Sequence, residues 1–286
     1  MNGIVIVDKP QDWTSQDVVS KLRGVFQTRR IGHGGTLDPM ATGVLSVFVG
    51  RATRGVEFFE HAVKTYETVL RLGVITNTED ITGEVLEKRT VDISKEAFLS
   101  VLDRFRGEIQ QIPPMYSALK INGQKLCDLA RKGKEVERKP RTITIHKLEC
   151  LSFEGDTAKL SVTCSKGTYI RTLCKDVGEA LGCGGCMEAL RRVGAGAYTI
   201  EEAVPLAELV ASDDPGKYLH PVDSMFTQYE AVSLTPKQSL RCRNGNSFSI
   251  DVSDGTYRAY DEKGEFLMLA KVESSVMSTI KSFFEV

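Results

Sequence analysis

The segment Gly32-His33-Gly34-Gly35-Thr36-Leu37-Asp38-Pro39-Met40-Ala41-Thr42-Gly43 sets one carboxylate in a loop dense in glycine. Glycine lets a backbone turn sharply and lets a ligand approach closely. Pro39 fixes its own φ and steers Asp38 away from helical geometry. A carboxylate on such a rigid, irregular turn can serve as a nucleophile that forms a covalent intermediate. The same residue types also build plain turns, so residue type alone leaves both readings open. Phosphate-binding readings fail on identity. Leu37 stands where GxGxxG needs its third glycine, and Val56 stands where Gly50 to Gly55 would need the Walker lysine. No nucleotide cofactor is expected.

Neither a disulfide framework nor a metal site is expected. The seven cysteines are an odd number scattered along the chain, which fits reduced thiols better than a disulfide framework. Cys183-Gly184-Gly185-Cys186 is the one CxxC pair. A zinc site wants a second pair or nearby histidines, and His146 and His220 are far off in sequence. The pair reads as two small residues in a glycine-rich turn, with no metal.

The elements that must carry the loop follow from periodicity. Residues 3–7 read as a buried strand, with Lys9-Pro10 as a breaker. Thr14 or Ser15 then caps a helix bearing Val18, Val19, Leu22, Val25 and Phe26. Val44 to Val49 is a short apolar run. Lys64 to Val74 reads as a strand, and Ser94 opens a helix with Phe98, Val101, Leu102 and Phe105. Residues 113–141 form a long polar connection with one helical piece near Leu126 to Arg131. Thr142 to Thr163 reads as two strands about a Gly155-Asp156 turn, Thr168 to Leu181 as a helix, and Met187 to Tyr198 as a strand region. Asp213-Asp214-Pro215-Gly216 is a turn or linker signal. From about residue 230 the pattern becomes short strands, with a hairpin over Tyr257 to Val272. Strands and helices mix without βαβ alternation, so the expected class is α+β with a mixed sheet.

A net charge of -1 does not by itself favour nucleic acid, so any such site must come from local clustering of Lys and Arg. No apolar run approaches the ~20 residues needed to span a bilayer, and the start lacks a signal peptide's features. A cytoplasmic location is expected, with no membrane partner.

The stretch Gly32 to Leu45 closely resembles the catalytic motif GHxGTLDPxATGVL of the TruB-type tRNA pseudouridine synthases. Other blocks agree in order. They include Asp8-Lys9-Pro10 with Thr14-Ser15, Lys64-Thr65-Tyr66, and Thr78-Glu79-Asp80-Ile81-Thr82-Gly83. Further on come Pro113-Pro114-Met115-Tyr116-Ser117-Ala118-Leu119-Lys120, Cys164-Ser165-Lys166-Gly167-Thr168-Tyr169-Ile170-Arg171, and Leu190-Arg191-Arg192. The resemblance runs from residue 3 to about 225 and more weakly through the tail. Asp12 departs from it, standing where the family usually has Gly. So do Gln16, Ser46 and Cys127, where His, Pro and Tyr are frequent.

The resemblance implies a catalytic domain over 1–228, with a mixed sheet, flanking helices and a thumb-like insertion. A small, mostly β PUA-like RNA-binding domain would cover 229–286. It implies isomerisation of the uridine at position 55 in the T-loop of tRNA, by a stand-alone monomer that flips the base out and needs neither cofactor nor guide RNA. Asp38 would be the nucleophile, attacking either sugar C1′ or the uracil ring. Arg171 would pair with it and keep it ionised; a surface helix arginine is the plainer reading. Tyr66 would stack on the uracil, or else be a core aromatic. Tyr169 and Leu190 would wall the pocket, with Leu190 as plain core the alternative. His33 would fill the vacated stack or steady the loop. Asp80 would salt-bridge in the site or cap its turn.

Arg131 to Arg141 holds six cations against Glu135 and Glu137, and Lys132, Lys134 and Lys139 are its candidate phosphate contacts. Such a run is often only a solvated loop. Arg29, Arg30, Arg191 and Arg192 are further candidates. Competing readings are a guide-RNA-dependent, dyskerin-like synthase, a tRNA-folding chaperone with incidental catalysis, and a PUA-type binding module.

Overall fold

The computed structural model describes residues 1–284; Glu285 and Val286, the end of the expected tail domain, lie outside the described residues. The chain forms two compact units. One is Met1–Asp38, Val44–Glu60 and the described residues from Gly196 on; the other is Pro39–Gly43 with His61–Ala195.

In the first unit the apolar run at the N-terminus forms the strand Gly3–Lys9, which is almost wholly buried. It pairs in parallel with Val204–Pro205. On its other side lies the strand Thr42–Val49, whose residues from Val44 on belong to this unit. The short strand Ile31–His33 pairs antiparallel with the latter, His33 opposite Val47. The helix Ser15–Val25 buries Val18, Val19 and Leu22 at helical spacing. Thr14 is its cap: its side chain accepts from the Asp17 amide while the Asp17 carboxylate accepts from the Thr14 amide, a reciprocal capping box.

The tail of this unit is a five-stranded sheet in the order Glu230–Ser233, Gly255–Tyr260, Phe266–Glu273, Val276–Ser282, Phe248–Ser249. Its own core gathers Leu234, Phe248, Tyr257, Leu267, Met268 and Met277. The hairpin expected over Tyr257 to Val272 is there. The helix Pro236–Arg243 was not expected, because only Ser239 and Cys242 of it are buried and neither marks an apolar stripe. Its legible signals were at its ends: a Thr235/Gln238 capping box, Pro236 at its first position, and Arg241 and Arg243 in its last turn.

The second unit is built on antiparallel neighbours in the order Gly185–Ala195, Lys64–Leu72, Thr157–Cys164, Arg141–Glu154, Gly107–Gln111. Lys64–Leu72 alternates buried and half-buried residues, so Tyr66, Thr68 and Leu70 share the buried face. Thr42 and Gly43 pair in parallel with Arg191 and Arg192, which makes the strand pattern mixed, as the α+β expectation requires. Ser94 caps Lys95–Asp103, whose Phe98 stacks on Phe153 with ring centroids 4.7 Å apart. The 113–141 connection carries a two-residue hairpin, Lys120–Ile121 with Gln124–Lys125, and the short helix Leu126–Ala130. The helix Ile170–Ala180 packs on Gly185–Ala195. Among the described residues no helix is long and apolar enough to cross a membrane.

Candidate active site

Asp38 is half-buried and ends the first unit's loop. The residue before it is fixed by the side chain of Ser15, which the sequence marked only as a candidate helix cap. Ser15 Oγ accepts from the Leu37 amide at 2.8 Å and donates to the Leu37 carbonyl at 3.2 Å. Both residues are buried, so this hydroxyl stands in for a ladder partner. Upstream, the Gly34 amide donates to the Ser46 carbonyl at 2.9 Å. A Cβ at Gly34 would come within 2.4 Å of the Phe59 ring, so this glycine is there for close packing. Lys9 is fully buried and donates to the carbonyls of Pro10 (2.8 Å) and Trp13 (2.6 Å), tying down the turn that enters the Ser15–Val25 helix. Asp12 in that turn has φ +64°, the left-handed region where the resembling family carries glycine.

In the second unit, Arg171 is no surface arginine: it is 5% exposed. Its guanidinium donates to the Tyr116 carbonyl at 2.8 Å and the Thr78 carbonyl at 3.1 Å, and lies 3.8 Å from Asp80 Oδ2. Asp80 pairs with Arg171 and also caps its turn. Besides facing Arg171, its Oδ1 accepts from the Thr82 amide, the Thr82 hydroxyl and the Thr78 hydroxyl, capping the turn. Glu79 was not anticipated. It adopts φ +65°, is buried, and accepts from Thr172 Oγ1 at 2.6 Å and Lys175 Nζ at 3.0 Å. The 78–82 turn is therefore pinned to the Ile170–Ala180 helix through three of its residues, Thr78, Glu79 and Asp80.

Tyr66 is buried on its strand, opposite Val162 on one side and Arg192 on the other. Leu190 is buried opposite Thr68, whose hydroxyl donates to the Ala189 carbonyl at 2.8 Å. Tyr169 is half-buried at the entry to the Ile170–Ala180 helix, its main chain bonded to the side chain of Gln111. Tyr66, Asp80, Tyr169, Arg171 and Leu190 all belong to the second unit, where Asp80 and Arg171 face each other, while Asp38 and His33 belong to the first.

Lys132, Lys134 and Lys139 are exposed. Arg131 faces Asp128 at 3.8 Å, and Arg138 binds Glu135 and the Pro113 carbonyl. Arg191 is half-buried and donates to Thr42 Oγ1 at 3.2 Å. The expectation that Arg192 contacts phosphate is corrected: at 1% exposed it has no surface to offer. Gly43, its ladder partner, has φ +99°, and a Cβ there would lie 2.2 Å from the Arg192 carbonyl. Cys183 and Cys186 are buried free thiols, and burial pushes that of Cys186 up to about 11. No group of three metal-ligating side chains occurs among the described residues.

Residues 23–170 match the family model of the TruB family pseudouridylate synthase (N terminal domain), and residues 171–227 match that of the tRNA pseudouridylate synthase B C-terminal domain. The chain is 46% identical over 265 residues to the tRNA pseudouridine synthase B of Dechloromonas aromatica (strain RCB), covering 92% of this chain and 89% of the relative. It is 40% identical over 289 residues to the protein of the same name from Clostridium kluyveri, covering 99% and 100%. Among solved structures it is similar to a chain of "Crystal Structure of a Cbf5-Nop10-Gar1 Complex", with a TM-score of 0.75 and 25% identity over 99% of this chain and 85% of that one. The family models together span 23–227, which takes in the Asp38 loop, the Asp80 turn and the Arg171 helix, and the chain belongs to the TruB family of pseudouridylate synthases.

Proposed function

We propose that this chain isomerises the T-loop uridine at position 55 of tRNA to pseudouridine, alone, with Asp38 as nucleophile. The observation that carries the reading is the loop that presents Asp38 after a Leu37 clamped by Ser15. Relatives 40–46% identical over nearly the whole chain are named tRNA pseudouridine synthase B, which supports tRNA as substrate. The likeness to the Cbf5-containing complex is more distant, at 25% identity, and favours stand-alone action less than those relatives do.

The reaction breaks the bond from sugar C1′ to uracil N1, turns the base, and joins C1′ to C5. The C5 proton is lost and N1 gains one, so nothing is consumed and no cofactor or metal is called for. One carboxylate suffices for a covalent intermediate. Hydrolysis of the glycosidase kind works with two. Tyr66 stacks on the uracil with its hydroxyl toward the C5 proton, and Tyr169 and Leu190 bound the base. His33 steadies the Asp38 loop. Extruding a base costs a few kcal/mol, least in a loop, which suits a T-loop target. Lys132, Lys134 and Lys139 supply phosphate contacts that a net charge of -1 does not forbid, because they cluster. The tail sheet is a second RNA-contacting domain.

The test is incubation of purified protein with unmodified tRNA, followed by mapping of pseudouridine. Product at the one T-loop uridine without other RNA is expected. Product only when a guide RNA is added would assign the chain to the dyskerin-like mode, and no product at all would refute the reading.

A further inference from the structure

Two residues at the start of the Ile170–Ala180 helix are each bonded to the place where the strand Gly107–Gln111 gives way to the 113–141 insertion. Gln111 is 2% exposed. Its Oε1 accepts from the Tyr169 amide at 2.8 Å, and its Nε2 donates to the Tyr169 carbonyl at 3.0 Å. A side-chain amide thus makes both bonds that a neighbouring strand would make. Two residues on, Arg171 donates to the Tyr116 carbonyl, inside the insertion. Gln111 is also the ladder partner of Arg141, where the insertion rejoins the sheet. Arg138 closes the same neck by donating to the Pro113 carbonyl at 3.3 Å. Entry, exit and first turn of the insertion are therefore all fastened near Tyr169 and Arg171.

We propose that Gln111 is a positioning residue for pseudouridylation: its amide sets the main chain of Tyr169 against the neck of the insertion, so that the element holding the T-arm and the wall of the uracil site are placed as one piece. This rests on the roles given above to Tyr169 and to the insertion. Only a group that both donates and accepts can fill the place. Methionine has similar length and offers neither bond. A glutamate carboxylate accepts from the amide but faces the carbonyl with a second acceptor; once protonated, it restores both bonds.

The test uses the full chain and unmodified tRNA under single-turnover conditions, with affinity measured separately on an Asp38→Asn background. Gln111→Met should slow isomerisation by about ten- to a hundred-fold, as misplacement by about 1 Å can. Its tRNA affinity should stay within about three-fold, since phosphate contacts carry most of it and the buried Gln111 makes none of them. Gln111→Glu should be slow at pH 8 and regain rate relative to wild type toward about pH 5.5, as a buried carboxyl protonates. A wild-type rate in Gln111→Met would overturn the proposal. If Gln111→Met does not fold, the Gln111→Glu profile decides: recovery at low pH supports the proposal, and a constant ratio to wild type across pH overturns it. Failure of the underlying reading is distinct, because wild type itself would then make no T-loop pseudouridine, and this proposal would fall with it.

Discussion

One hydroxyl, Ser15 Oγ, closes on both main-chain groups of Leu37, 2.8 Å from its nitrogen and 3.2 Å from its oxygen, one residue before Asp38. Ser15→Ala leaves a buried N–H and C=O without that partner, at a cost of about 1–3 kcal/mol. The expected outcome is a denaturation midpoint lowered accordingly and a slower single-turnover rate, with tRNA affinity little changed. Wild-type stability and rate together would show that the loop is held from elsewhere.

Asp12 pays a conformational cost that glycine avoids. At φ +64° an L-residue is strained, though Asp tolerates the region better than most. Asp12→Gly should be at least as stable as wild type, and Asp12→Val should lose about 1–2 kcal/mol. Thermal melts of the three proteins check this; a Val variant as stable as wild type would mean that the turn adopts another conformation.

Asp176 carries a pH signature. Burial, opposed by Lys175 and reinforced by Glu79 and Glu179, raises its carboxyl from 3.8 to about 6. The native state therefore holds this proton more tightly than the unfolded chain does. Ionising Asp176 then costs stability, and the cost grows as pH rises from about 4 through about 6. Asp176→Asn should match wild type near pH 4 and exceed it above pH 7 by about 1 kcal/mol, the full shift being discounted because the group is half-exposed. Urea titrations at several pH values measure it. An advantage for Asn that is the same at pH 4 and pH 8 would contradict the assignment.

What could be read from the chain was whatever lies within one element. The apolar strands, the Ser94 and Thr14 caps, and the loop around Asp38 are local patterns, and each was legible. The residues that fasten the site are not local. Ser15 meets Leu37 across 22 positions, Gln111 meets Tyr169 across 58, and Glu79 meets Thr172 across 93. Without the resemblance, Arg171 reads as a surface residue, because two of its acceptors are main-chain carbonyls, which carry no sequence signal. Arg192 looked like a phosphate contact for the converse reason: a basic dipeptide shows charge, but not which of its members points inward on a strand.

The basic segment supplies a prediction that separates charge from position. Replacing Lys132, Lys134 and Lys139 together with Gln should weaken tRNA binding and reduce the slope of log affinity against log salt by about two to three. Single-turnover rate at saturating tRNA should hardly move. An unchanged slope would make the run a solvated loop.

The central claim is that Asp38 is the nucleophile, and the most direct measurement is pseudouridine formation by Asp38→Asn with binding to the same tRNA measured in parallel. An amide cannot replace the carboxylate, while most affinity comes from contacts elsewhere. The account predicts no pseudouridine above background and an affinity within about three-fold of wild type. Turnover by a variant verified to contain asparagine at that position would contradict it.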